Sequence, residues 1–153
     1  MFDTFRRFND IRNATRLKPL TKRLKPVDFT TFRVEYWRKF PAALTRKIPV
    51  DLAFVDIMGV IKGSASLSTN LQPLSRDDYT GKRWKLAPNF AHGKERESLY
   101  TLYECYENIK RSRGELDDTD RVVLVLKALS KNPALRQEVE GLLHEVYVDG
   151  NVE

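Results

Sequence analysis

The sequence predicts a mainly α-helical chain, and three observations support this fold class. Apolar residues recur at intervals of three and four over residues 95–111 and 117–143, which is the period of an amphipathic helix. Residue types that cap helix N-termini stand in front of several of these segments. Residues 145–148 form the only convincing strand, and a β-branched run of this kind normally needs neighbouring strands in a buried sheet.

Residues 1–26 are basic and predict one or two short helices, interrupted by Pro19 and Pro26. The next predicted helix covers residues 28–40 and begins at Asp28, which is a suitable N-cap. Its spacing places four aromatic side chains on one face, and we expect them in the core: Phe29, Phe32, Tyr36 and Phe40. Residues 51–62 form the most apolar segment, and periodicity leaves two alternatives, a helix capped by Asp51 or a buried strand. In the helical alternative one face carries Leu52, Val55, Met58 and Ile61.

The middle of the chain has clearer helix boundaries. Ser75 precedes an acidic residue by three positions, a capping-box pattern that predicts a short helix carrying Tyr79. Residues 95–111 predict the longest helix, with acidic residues in the first turn, basic residues in the last and Gly114 as its end. The apolar face of this helix holds Leu99, Leu102, Tyr103, Tyr106 and Ile109.

Two further helices are predicted after Gly114. An acidic segment starts the first of them, and we interpret it as an N-cap within a surface charge cluster without a catalytic role: Asp117, Asp118, Asp120 and Arg121. One face of that helix carries Val122, Val125, Leu126 and Leu129. Asn132 and Pro133 read as the N-cap and first residue of the last helix, which carries Leu135, Val139, Leu142 and Leu143.

Composition excludes several classes of protein. The 153 residues suit about one domain, and no apolar run approaches the ~18 residues of a transmembrane helix. Cys105 is the one cysteine in the sequence, so it has no partner for a disulfide. A structural zinc site is not expected either, because such sites have four ligands and the sequence adds only two histidines, His92 and His144. No repeat of 20–50 residues is visible, so a solenoid or propeller is not expected. The lone thiol suits the nucleus or cytoplasm, while the Arg-rich, amphipathic start leaves mitochondrial import as an alternative.

Charge is distributed unevenly along the chain. Residues 1–50 hold 13 Lys or Arg and 4 Asp or Glu, whereas residues 115–153 hold 4 and 9. The basic part is suited to contact the phosphates of DNA or RNA, and a solvated surface is the alternative. The candidate phosphate contacts are Arg6, Arg7, Arg12, Lys22, Arg23, Lys25, Arg38 and Lys39.

Nucleotide-binding motifs are incomplete in this sequence. No GxxxxGK[ST] P-loop is present. The apolar run 146–148 followed by Asp149 has the form of a Walker B strand with its carboxylate. Gly150 stands where the catalytic acid would follow, and glycine has no group that accepts a proton. A terminal strand and turn is the alternative interpretation.

Five segments occur in an order that resembles a known family. They are DIMGVIKGS (56–64), LSRDDY (74–79), RESLYTLYECYENIKR (96–111), ELDDTDRV (115–122) and HEVYVD (144–149). The sequence resembles the UvrD/Rep-like superfamily-one helicases, and in particular a divergent eukaryotic branch, well represented in fungi, that includes tetratricopeptide and ankyrin repeat-containing proteins. The resemblance implies the part of a RecA-like α/β P-loop motor domain that lies between the P-loop and Walker B, with its helical insertion.

The resemblance also implies a domain organisation and a function. Residues 1–27 would be a basic segment, residues 28–149 part of the first motor domain, and residues 150–153 a divergent tail. Asp149 would be the Mg²⁺ ligand, and Gly150 replaces the catalytic Glu. ATP and Mg²⁺ belong to the parent family, and no cofactor is expected for this chain.

We therefore expect a truncated helicase without catalytic activity. Its expected partners are DNA or RNA, or the remainder of a helicase. The alternative is a non-enzymatic helical module that binds other proteins.

Overall fold

The computed structural model describes residues 26–63, 70–81, 90 and 93–142. Within these ranges every regular element is helical, and β-type pairing is limited to one bridge between Pro26 and Leu116. The predicted mainly α-helical class is confirmed. The strand expected at 145–148, the tail at 150–153 and residues 1–25 lie outside the described residues.

The helices are short except near the end of the described chain. In order they are α1 (Phe29–Thr31, continued by a π-helical turn Phe32–Tyr36 and a 3₁₀ turn Trp37–Lys39), α2 (Ala42–Thr45), α3 (Val50–Val55, continued by a π-helical turn Asp56–Ile61), α4 (Arg76–Thr80), α5 (Gly93–Arg113), α6 (Asp118–Lys131) and α7 (Pro133–Leu142).

The predicted caps lie at the helix starts. The Asp28 carboxylate accepts a hydrogen bond from the Thr31 backbone N–H at 2.7 Å, and the Ser75 hydroxyl accepts one from a backbone N–H of α4 at 3.1 Å. The Asn132 side chain does the same for α7, also at 3.1 Å. Gly114 follows α5 with φ of 62°, a conformation in which glycine ends helices without a steric penalty from Cβ. The helix boundaries read from the sequence are therefore confirmed at these positions.

Residues 51–62 resolve the alternative left open by the sequence. They are helical, but Pro49 precedes the helix and Asp51 lies in the first turn without acting as a side-chain cap. A π-helical turn adds a residue to the turn and rotates the side chains that follow. Within the turn the buried face holds Ile57 and Ile61. Val55, which lies just before the turn, is largely exposed, so the face predicted from a regular 3.6-residue period was wrong in part.

The core forms around the inner face of α5. The ring of Tyr106 lies 5.4 Å from that of Phe32 and 5.1 Å from that of Tyr36, measured between centroids. Phe29 departs from the prediction: it remains 36% exposed at the start of α1. The buried hydrophobic residues are Val27, Phe32, Tyr36, Phe40, Ile48, Ala53, Ile57, Ile61, Leu74, Tyr79, Phe90, Leu99, Tyr100, Leu102, Tyr103 and Tyr106.

Helices α6 and α7 form a peripheral pair that is joined by the single residue Asn132. They contact each other, and no side chain described within either helix is fully buried. One face of α6 carries the apolar residues that we call the α6 stripe: Val122, Val125, Leu126 and Leu129. Among the described helices, none is long and apolar enough to cross a membrane.

Candidate functional site

A cluster of buried charges joins three parts of the fold. Lys62 follows the π-helical turn of α3, Glu107 and Lys110 lie near the end of α5, and Asp117 and Asp120 begin α6. We call these five residues the ion-pair cluster. Both lysine side chains are almost fully buried, at 3% and 4% exposure. Charges buried to this extent are stable only when they are paired and hydrogen-bonded.

Each lysine contacts all three carboxylates of the cluster. The Lys62 ammonium lies 2.5 Å from Asp117 Oδ2, 2.6 Å from Asp120 Oδ1 and 2.9 Å from Glu107 Oε1. The Lys110 ammonium lies 2.9 Å from Asp117 Oδ2 and 2.7 Å from Glu107 Oε1, and it also donates to Asp120 Oδ2. The cluster thus contains two positive and three negative charges.

Asp117 has the largest number of roles within the cluster. Its Oδ1 accepts the backbone N–H of Asp120 at 2.9 Å, and Asp120 in return accepts the Asp117 N–H at 3.1 Å, which completes a capping box. The Tyr106 hydroxyl donates to Asp117 Oδ2 at 2.8 Å. One residue therefore caps α6, binds both ammoniums and satisfies a buried tyrosine of α5.

The electrostatics of the cluster favour its charged form. Burial opposes ionisation of Asp117, but the Lys62 and Lys110 ammoniums outweigh it and lower the pKa of that carboxyl to about 2. Burial likewise opposes the charge on Lys62, but Asp117, Glu107 and Asp120 outweigh it and raise the pKa of its ammonium. Asp117 and Lys62 therefore stay charged over the whole physiological pH range.

Acidification should weaken the fold through Asp117. Its pKa is lower in the folded chain than in the unfolded one, so its stabilisation is present above pH ~4 and is lost as the pH falls toward about 2. A shift of this size corresponds to roughly 2 kcal/mol of unfolding free energy. Carboxyl ¹³C NMR should place the midpoint of the Asp117 titration near 2, and a midpoint near 4 would contradict the ion pairing.

The arrangement fits a structural network better than a metal site. Glu107, Asp117 and Asp120 place carboxylate oxygens within 4.8 Å of one another, a spacing that suits a bound cation. The two ammoniums already bond to those oxygens and supply the positive charge that a cation would bring. A groove of about 260 Å³ between α5 and α6 reaches the edge of the cluster, where Leu116 and Val123 are part of its lining.

A second buried carboxylate lies beside α4. Asp56, in the π-helical turn of α3, is fully buried and accepts a hydrogen bond from the Tyr79 hydroxyl. Its Oδ1 has no hydrogen-bond partner among the described residues. Arg96 is also buried and donates to the Phe90 carbonyl at 2.6 Å. Burial raises the pKa of Asp56, against the smaller opposing effects of Tyr79 and Arg96.

Asp56 should make stability depend on pH in the opposite direction to Asp117. A raised pKa in the folded state means that its contribution is present below pH ~4 and declines as the pH rises through the folded pKa. Relative to the Asp56→Asn variant, the wild-type unfolding free energy should therefore fall as the pH rises above 4. Urea unfolding at pH 4, 6 and 8 measures this difference, and a constant difference would show that the carboxyl does not titrate as proposed.

The residues predicted as functional from the sequence lie elsewhere. Arg38 and Lys39 are exposed in the 3₁₀ turn after α1, away from the ion-pair cluster. Asp149 and Gly150 lie outside the described residues, as do the other candidate phosphate contacts: Arg6, Arg7, Arg12, Lys22, Arg23 and Lys25. The phosphate contacts and the Mg²⁺ ligand stay predictions of the sequence, since no contact in the structure tests them.

Sequence reasoning missed both lysines of the cluster. Lys62 stands directly after the apolar run that ends at Ile61, and Lys110 continues the buried face of α5 four residues after Tyr106. A lysine in either position indicated a buried ion pair, because a charge on a buried face requires partners of opposite charge. The surface cluster expected at the start of α6 was wrong for Asp117, which is buried.

Comparisons with known proteins give one partial similarity. The chain is 30% identical over 124 residues to human TPR and ankyrin repeat-containing protein 1, and the match covers 80% of this chain and 4% of that protein. The chain therefore spans a small part of the relative's length. No protein-family model matches the chain. No solved structure matches it either.

These findings overturn the interpretation as a truncated helicase. The matched protein is named for its repeats, no helicase family model matches, and the described residues are helical and contain no strand of a RecA-like sheet. The short strings that suggested the family have a structural explanation. Lys62 of DIMGVIKGS and Asp117 and Asp120 of ELDDTDRV form the ion-pair cluster, while the apolar residues between them fill a helical core.

Proposed function

We propose that this chain is a non-enzymatic helical module that binds another protein through the α6 stripe. The observation that carries the proposal is the exposure of three large apolar side chains on one face of α6: Val122 at 49%, Val125 at 37% and Leu126 at 36%. Apolar residues at intervals of three and four on one helical face are the usual way in which a helix docks on a protein partner.

The chemistry of the stripe indicates an apolar, helical partner surface. The charges next to the stripe at the start of α6, Asp118 and Arg121, lie 3.2 Å apart and neutralise each other. The similar human protein is named for TPR and ankyrin repeats. In such repeats helix pairs stack so that each pair covers an apolar face of its neighbour. The α6–α7 pair, with its open stripe, suits a second helical surface of this kind.

The rest of the described fold holds the start of α6, and with it the α6 stripe, in place. The aromatic core and the ion-pair cluster fix the start of α6, and the Leu116 carbonyl just before it accepts the Val27 N–H at 2.9 Å. The helix pair is therefore presented on a rigid base without contributing buried side chains of its own. This separation allows the stripe to be changed with little effect on the core.

Photo-crosslinking tests this proposal in cells that express the chain. Benzophenone-phenylalanine at Val122 should crosslink to peptide segments whose apolar residues follow helical spacing, and the Leu126→Asp substitution should abolish these adducts. The same probe at Asn108, an exposed position on α5, is the matched control. Adducts from Val122 that are no more frequent than those from Asn108, or that persist in the Leu126→Asp variant, would refute the docking role of the stripe.

A further inference from the structure

The groove between α5 and α6, which we call the α5–α6 groove, lies on the side of α6 opposite to the α6 stripe. Val123 and Leu124 of α6 line it, and Leu116 just before α6 adds a third aliphatic side chain. With 100° between successive helical residues, the centre of Val123 and Leu124 lies about 160° around α6 from the centre of the stripe. An occupant of the groove is therefore distinct from a partner of the stripe.

The first described residue, Pro26, is held at the wall of this groove. Pro26 pairs in parallel with Leu116, whose carbonyl accepts the Val27 N–H at 2.9 Å. In a parallel pair, the residues that precede Pro26 run beside those that precede Leu116, toward the end of α5. Arg111 and Glu115 at that end also line the groove. The direction of the chain at Pro26 therefore aims its preceding residues along the groove.

Covalent geometry limits how far Leu24 can lie from the groove. Two residues of chain span at most about 7 Å, and paired chains lie about 4.8 Å apart. The Cα atoms of Leu24 and Leu116 are therefore within about 12 Å of each other. A tether this short gives an effective concentration in the millimolar range. It favours residues 20–25 over a second copy or another protein as the occupant of the groove.

The sequence of residues 20–25, LTKRLK, matches the apolar part of the lining. Leu20 and Leu24 are four positions apart, a spacing that places both on one side of the segment in an extended or a helical conformation. Contact with the groove removes apolar surface of both partners from water, which favours association. The side chains available for this contact are half-buried in the described fold: Leu116, Val123 and Leu124.

The charges of the segment and the groove are also complementary. Residues 20–25 carry three cations and no carboxylate. The described lining contains three carboxylates and two cations, Lys110 and Arg111, and Lys110 is already bound within the ion-pair cluster. That cluster has one negative charge in excess, and Glu107 and Asp120 remain 21% and 22% exposed at its edge. A basic segment offsets this excess, whereas an acidic one is repelled by it.

We propose that residues 20–25 of this chain occupy the α5–α6 groove, with Leu24 packed on Val123 and Leu124. The segment then ties the peripheral α6–α7 pair to α5 from the face opposite the stripe. The groove is thus a binding site for a basic peptide segment that contains leucine, and the chain supplies that segment itself. This inference is independent of the proposed function, because it concerns the other face of α6.

Crosslinking in the full chain tests the occupant, in a background that carries Cys105→Ser. Leu24→Cys combined with Val123→Cys should be joined within one chain by a short bis-maleimide. Leu24→Cys combined with Val125→Cys is the matched control, and its crosslink should form at least about tenfold more slowly, because Val125 lies in the stripe. Denaturing electrophoresis separates crosslinks within one chain from those between two chains. Equal rates for the two pairs, no crosslink to position 123, or crosslinks between chains alone would overturn the proposal.

Hydrogen exchange provides a second measurement on single substitutions. Leu24→Asp places a carboxylate beside the acidic edge of the groove, and the amides of Val123 and Leu124 should then exchange about tenfold faster or more. Leu24→Met keeps an apolar side chain of similar volume and should exchange like the wild type. Unchanged exchange at Tyr103 in both variants would show that the core is intact. Equal exchange of the two α6 amides in all three chains would overturn the proposal.

Discussion

Replacement of Asp117 by alanine should destabilise the chain by about 3–5 kcal/mol, because it removes the buried carboxylate that contacts both the Lys62 and Lys110 ammoniums and leaves them only the partly exposed carboxylates of the cluster. The substitution also removes the N-cap of α6 and the acceptor for the Tyr106 hydroxyl. Loss of a cap alone costs about 0.5–2 kcal/mol, so the expected effect exceeds what capping explains. Urea unfolding followed by circular dichroism measures the change.

Two companion variants separate charge from capping. Asp117→Asn retains an oxygen that can cap α6 but removes the charge, and it should remain closer to the alanine variant than to the wild type. Asp118→Ala removes the neighbouring carboxylate, which is 88% exposed, and should change stability by about 0.5 kcal/mol or less. A loss of only ~1 kcal/mol for Asp117→Ala would mean that the buried lysines do not depend on this residue.

Replacement of Phe32 by alanine should have an effect of similar size, about 3–5 kcal/mol. Phe32 is fully buried, and its ring contacts five other aromatic rings, those of Tyr36, Trp37, Phe40, Phe54 and Tyr106. Truncation removes the transfer free energy of the ring and leaves a cavity between α1 and α5 that rigid aromatic neighbours fill poorly. Thermal and urea unfolding should both report the loss.

Phe29 provides the matched control for this substitution. It has the same side chain and lies in the same helix, but it is 36% exposed, and its ring centroid lies 5.4 Å from that of Phe54. Phe29→Ala should therefore cost about 1 kcal/mol. Equal losses for the two variants would mean that the aromatic stripe of residues 28–40 is not packed as described.

Local signals explain why much of the fold was predictable. Asp28, Ser75, Asp117 and Asn132 begin helices because their side chains satisfy backbone N–H groups close by in sequence. Such interactions depend on neighbours along the chain, which the sequence displays directly. The starts of α4, α6 and α7 were predictable for this reason.

The features that depend on contacts between residues far apart in sequence were harder to predict. The π-helical turn at Asp56–Ile61 alters which residues are buried, and no local pattern indicates it. The ion-pair cluster joins Lys62 to residues 45 to 58 positions away, so the partners of a buried lysine cannot be read from spacing. The helicase interpretation failed for a related reason. Short strings of apolar and charged residues also occur where apolar side chains pack in a helical core and buried charges form ion pairs.

The attachment of α6 at one end has a consequence for local opening. The ion-pair cluster holds its first turn, but the described remainder of α6 and α7 buries no side chain completely. Amide hydrogens from about Val122 to Val139 should therefore exchange with solvent through a partial opening that leaves α5 folded. Amides near Tyr103 and Tyr106 should exchange only when the whole chain unfolds. We therefore expect the described residues to form two cooperative units of unequal stability, and coverage of the stripe should bring the stabilities of the two units closer.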